Sequence, residues 1–196
     1  MKILLLTFLF FSTSLVQQRD DIYTQKKKFL KRHERTYLKK TKPVLLADEK
    51  EIDELIKAGN MAEANGDIKA AIFQYRKALD VNVTSPVIWY NMGCATFKMS
   101  NFMNAVIELT KAIDGDTLSA ELFYARGNAY FKSKDYTKAL ADYSTAVRLN
   151  PKDAAGFYNR ALTYFQLGSD SACADLILAK KLGDKKSSVM FISDCR

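Results

Sequence analysis

The segment Ala120–Pro151, AELFYARGNAYFKSKDYTKALADYSTAVRLNP, decides how the rest of the chain is read. Two runs of helical periodicity flank a turn at Lys134-Asp135. Gly127 in the first run recurs at even spacing, backward as Gly93 and Gly59 and forward as Ala161. In the second run Ala139 and Ala146 recur at the same spacing as Ala105 and Ala112, then as Ala71 and Ala78. Small residues at a fixed register mark where paired helices come closest. A helix pair of this kind cannot bury its apolar face alone and needs a neighbour stacked on it.

The 34-residue period, the small residues, the aromatic at Tyr130 and the closing Pro151 together resemble the tetratricopeptide repeat. The resemblance implies an all-α fold: an α-α superhelix, or solenoid, of four helix-turn-helix repeats with a C-terminal capping helix. The repeats are expected over 48–84, 85–118, 119–152 and 153–183, and the capping helix over 184–196. Ser85-Pro86 reads as an N-cap followed by proline at the first helical position. Tyr75, Leu109, Tyr143 and Leu176 are expected to fill space between repeats. The fourth repeat departs from register, since Ala172 and Ala179 fall one place short of a full period after Ala139 and Ala146. Its turn, Gly168-Ser169-Asp170, is one residue short. Gly183 then ends a helix, and Asp184 can cap a last one that covers the exposed end of the solenoid.

The 196-residue chain is 48% hydrophobic, enough for a packed core, and carries a net charge of +8. That charge is local. Between Arg19 and Lys42 there are ten Lys/Arg against three Asp/Glu, whereas from Pro43 onward the two signs balance at nineteen each. Segment 17–43 is therefore a basic amphipathic stretch whose Ile22, Phe29, Leu30 and Tyr37 fall on one helical stripe. One reading is a solvated helix or linker resting on the first repeat; the other is a surface for anionic lipid, polysaccharide or nucleic acid. The neutral repeats give no reason to expect specific nucleic-acid binding.

Residues 1–16, MKILLLTFLFFSTSLV, have the layout of a secretory signal peptide: one lysine, a short apolar run, then small polar residues. Export, to a periplasm or outside the cell, is the expectation. The alternative is an uncleaved anchor that tethers the chain to a membrane, with the basic residues holding the C-terminal side in the cytoplasm.

The tetratricopeptide resemblance also implies a groove lined by the first helix of each repeat, taking an extended peptide or a partner helix. Tyr90, Tyr124 and Tyr158 recur there once per repeat, as do Phe97, Phe131 and Phe165. Asn60, Asn91, Asn128 and Asn159 lie on the same helices. Rings supply contact area and amides pair with peptide backbone. The partner-binding candidates are thus Tyr90, Asn91, Phe97, Tyr124, Asn128, Phe131, Tyr158 and Asn159. Some family members clamp a C-terminal carboxylate with Lys, Asn and Arg. Here Asn60 and Asn91 match, but Ile56, Glu121 and Ala125 stand where the cations belong, so that clamp is not expected. Arg126 and Arg160, one position away, should face the helix partner instead.

No constellation for catalysis is visible. The one histidine, His33, lies in the basic segment; no glycine-rich phosphate loop and no metal-ligand spacing occur. A protein or peptide partner is expected, with no cofactor, no metal and no small-molecule substrate. Cys173 lies ten residues before Gly183 and Cys195 twelve after, so an antiparallel helix pair would bring them to one end. Exported repeat proteins that this tail resembles support a Cys173–Cys195 disulfide, with Cys94 left free.

Overall fold

The computed structural model describes residues 48–185 and 187. None of them is in a strand. The helices are α1 (48–64), α2 (Ile68–Val81), α3 (Pro86–Lys98), α4 (Phe102–Gly115), α5 (Ala120–Lys132), α6 (Tyr136–Leu149), α7 (Ala154–Gln166) and α8 (Ala172–Lys181). The described residues from Glu51 onward belong to one compact unit. Within it α3 packs on α4, α5 on α6 and α7 on α8, and each pair stacks on the next through α2–α3, α4–α5 and α6–α7.

The first helix of each pair ends in the same way, and the reason is the backbone. Gly66, Ser100, Lys134 and Gly168 all have positive φ, at 82°, 61°, 65° and 68°. These four residues occupy one and the same slot of the repeat. The following N–H closes the turn onto a carbonyl five residues back: Asp67 to Ala62, Asn101 to Thr96, Asp135 to Tyr130 and Ser169 to Tyr164. This left-handed closure satisfies carbonyls that the helix end leaves open. Asp67 and Asp135 then cap the next helix by accepting from the backbone N–H groups of Ala70 and Lys138. Ser85 occupies the cap before Pro86 as expected, yet its side chain makes no capping hydrogen bond.

The core runs between the pairs as a ladder. Ala71, Tyr75, Ala78 and Leu79 of α2 meet Ile88, Met92 and Ala95 of α3. Ala105, Val106 and Leu109 of α4 meet Ala129 of α5. Val147 of α6 joins Phe157 of α7 and Ala179 of α8. Tyr75 and Leu109 fill space between repeats as expected. The structure adds a second role: Tyr75, Leu109 and Tyr143 each also lie over the small residue of their own repeat. A Cβ at Gly93 would be 2.7 Å from Leu109, and one at Gly127 would be 2.9 Å from the Tyr143 ring. Tyr75 covers Gly59 in the same way, and Leu176 packs with Ala161. The missing side chain is what admits the large one.

At the C-terminal end Gly183 is left-handed (φ 97°), and Asp184 accepts from the Ser187 N–H at 2.7 Å, the cap expected of a further helix. Residues 188–196, including Cys195, lie outside the described residues, as does everything before residue 48: the signal-like segment, the basic stretch and His33. Cys173 is disulfide-bonded, and Cys94 is free.

Candidate partner-binding groove

The polar side chains of α1, α3, α5 and α7 form two networks. The first begins with Tyr75, whose buried hydroxyl lies 2.6 Å from Asn60 Oδ1 and 3.0 Å from Glu63 Oε2. Glu63 in turn pairs with Lys98 of the next repeat. The second network joins repeats three and four. Tyr143 donates to Asn128 Oδ1 at 2.7 Å. Asn159 Nδ2 donates to the same oxygen at 3.1 Å and to Tyr124 Oη at 2.8 Å. Two donors on one carbonyl oxygen fix the Asn128 amide. Asn60 and Asn128, read from the sequence as groove amides, are therefore largely engaged with their own repeats.

The predicted residues separate by neighbourhood. Phe97, Asn128, Phe131 and Asn159 line a cavity of about 170 Å³ together with Lys132, Tyr143 and Leu162. Tyr90 and Asn91 line a cleft of about 300 Å³ with Pro86, Val87, Asp116, Ser119, Glu121 and Leu122. Tyr124 lies against Tyr143, ring centres 5.9 Å apart. Tyr158 packs on the Val147/Phe157 and Ala161/Leu176 clusters and lines neither space. Phe97 and Phe131 also contact the first ring of the following helix, Phe102 at 5.3 Å and Tyr136 at 5.4 Å, so they brace the turn as well as line the cavity. Lys132 and Leu162 escaped the sequence reading because neither recurs as one residue type through the repeats, although Lys98 fills the slot of Lys132 one repeat earlier.

Electrostatics divide the groove from the seam between helices. Tyr90 donates to Glu121 at 2.6 Å, and burial followed by that bond raises its hydroxyl above the ordinary tyrosine range. Burial likewise pushes the Cys94 thiol up to about 11. Arg126 and Arg160 face the helix partner, as expected. Arg126 makes a two-pronged pair with Asp142, both bonds 2.8 Å, and its Nη1 reaches Thr110 at 3.1 Å. Arg160 repeats this with Asp175 at 2.6 and 2.8 Å. Their hydrogen bonds to these aspartates raise both guanidinium pKa values. Neither arginine is available for a ligand carboxylate. Among the described residues no group of His, Cys, Asp and Glu is arranged to hold a metal, and no helix is long and apolar enough to cross a membrane.

The TPR repeat family matches residues 127–168. The crystal structure of MamA superposes with a TM-score of 0.66 at 26% identity, over 75% of this chain and 86% of that one. The chain is a tetratricopeptide-repeat protein. Two further tetratricopeptide structures share the fold. The first TPR of Spaghetti (RPAP3) has a TM-score of 0.60 at 23% identity, over 61% of this chain and 95% of that one. YrrB has a TM-score of 0.63 at 21% identity, over 69% and 71%. No curated protein sequence matches the chain significantly. In tetratricopeptide terms the two open spaces border the first helices of repeats two, three and four, and the Arg–Asp pairs tie the helices of repeats three and four together.

Proposed function

We propose that this tetratricopeptide protein is a non-enzymatic interaction or scaffold module that binds an extended peptide or a partner helix along α3, α5 and α7. The observation that carries the reading is the pair of open spaces on that face. Six of the eight residues singled out from the sequence line one or the other. Aromatic walls with a few polar groups suit a peptide: the rings give area and the polar groups set register. Two neighbours add analogy, since the Spaghetti (RPAP3) domain is bound to the HSP90 peptide SRMEEVD and YrrB is described as having an unusual peptide-binding site. The cations of a carboxylate clamp are missing here, so the ligand of the first neighbour does not carry over. We further propose that the module works after export, on the signal-like layout of residues 1–16, with membrane tethering as the competing arrangement.

The test blocks the groove without disturbing the amide network. Val87 is 58% exposed at the mouth of one space, and Leu162 lines the other. A Val87→Arg/Leu162→Arg variant should keep its helical content and lose the partners that cross-link to the wild type in the native cell. An unchanged cross-linking pattern would remove the groove from consideration.

A further inference from the structure

The repeats carry an internal comparison. At the junction of repeats one and two, a carboxylate is built in: Glu63 touches the Tyr75 hydroxyl and pairs with Lys98, beside Asn60. Parts of that setting recur around repeat three. Asn128 and Tyr143 fill the slots of Asn60 and Tyr75 two repeats later and make the same hydrogen bond, 2.7 Å against 2.6 Å. Lys132 fills the slot of Lys98 one repeat later, on the same helix as Asn128, whereas two repeats later that slot is Gln166. The carboxylate does not return: the position of Glu63 is Phe97 in repeat two and Phe131 in repeat three. The cavity of about 170 Å³ opens beside these residues, with Lys132 as its one charged lining group. The Lys132 ammonium has no carboxylate partner among the described residues.

The cleft of about 300 Å³ has the opposite sign. Asp116 and Glu121 line it, no lysine or arginine does, and Val87, Leu122 and the Tyr90 ring form its walls. Those walls suit the aliphatic stem of a basic side chain, with its head at the carboxylates. Both spaces share α3 and α5. Along α5, Glu121 and the centre of the Asn128–Lys132 stretch are about nine residues apart, or about 13 Å at helical rise. An extended chain covers that in about four residues, and residues four apart in a strand point to the same side.

Resting on the groove reading above, we propose that the ligand is an extended peptide with an ordered pair of charges. An acidic side chain enters the Lys132 cavity, in the role Glu63 fills internally, and a basic one about four residues away enters the Asp116/Glu121 cleft.

A random peptide library selected against the full chain tests this, with binding of the enriched peptides measured by fluorescence anisotropy. The expected consensus has Asp or Glu and Lys or Arg about four positions apart. Lys132→Glu should weaken such peptides about tenfold or more and favour versions with the acid replaced by a base. Glu121→Gln with Asp116→Asn should remove the preference for the basic residue while leaving Tyr90 an acceptor. Peptides that bind wild type and fail on Val87→Arg/Leu162→Arg, yet show no charge order or ignore Lys132→Glu, would overturn this proposal and leave the groove reading in place. Peptides that bind the blocked variant as well as wild type, or no enrichment at all, would overturn the groove reading and this proposal with it.

Discussion

At the scale of single residues, the same structural slot carries different chemistry in different repeats. Arg126–Asp142 and Arg160–Asp175 fill one seam in repeats three and four with two-pronged pairs. The corresponding residues of repeat two are Met92 and Glu108. Glu108 keeps the charge without an arginine opposite, and its Oε2 is buried with no hydrogen-bond partner. Burial raises its carboxyl pKa above the ordinary 4.5, against a lowering contribution from Thr96. The sign follows from linkage. A carboxyl that holds its proton more tightly when folded supports the fold fully below about pH 4.5 and less as pH rises through its folded value. Glu108→Gln should therefore raise the melting temperature near neutral pH, and the advantage should shrink toward about pH 4. Equal melting temperatures for the two proteins across that range would show that the Glu108 charge costs nothing.

At the scale of elements, the helices are set by their ends as much as by their faces. All four first helices close through a left-handed residue, and two of the four are not glycine. Ser100 and Lys134 accept a backbone conformation that costs an L-residue roughly 1 kcal/mol or more. Lys134 is exposed, so Lys134→Gly should remove that cost with little loss of contact and stabilise the protein by up to about 1 kcal/mol. Urea titration of the two proteins measures it; a destabilised glycine variant would mean that the turn is not strained. This is also where legibility from sequence ends. Gly66 suits the left-handed turn by residue type, whereas at Lys134-Asp135 the turn was legible from register and the left-handed lysine was not. The repeat period, the helix pairs and the small residues were legible because close helix approach permits few side chains. The tyrosine–asparagine stripe was legible as a face, but not how its members divide. A hydrogen bond within repeat three turns Asn128 toward Tyr143, and one across repeats turns Asn159 toward Tyr124; nothing local in sequence encodes either. Lys132 had a detectable signal: Lys98 recurs one repeat on while Glu63 gives way to Phe97.

At the scale of the whole molecule, compartment and thiol chemistry are linked. The proposal of export rests on residues 1–16, and a disulfide persists where the surroundings are oxidising. The chain has three cysteines, and the structure treats the described ones differently. Cys94 is free, with a thiol pushed up to about 11 from 9.0 by burial. Its thiolate fraction near neutral pH is then about a hundredfold below that of an ordinary thiol, which slows alkylation of the native protein in proportion. Cys173 is disulfide-bonded, in the first turn of α8, and Cys195 is the partner proposed from sequence. Such a bond would tether the tail that follows Gly183 to the last repeat, whose outer face otherwise ends the stack. Protein purified from its native compartment without reductant should therefore show almost no fast-reacting thiol when native and one when denatured. Its N-terminus should begin between Ser14 and Gln18 rather than at Met1. Three reactive thiols after denaturation, together with an intact Met1 in the membrane fraction, would replace export with tethering and remove the disulfide from the working protein. One thiol with an intact Met1 would separate the two ideas, keeping the bond and discarding cleavage, and would place the tethered repeats in an oxidising space rather than in the cytoplasm.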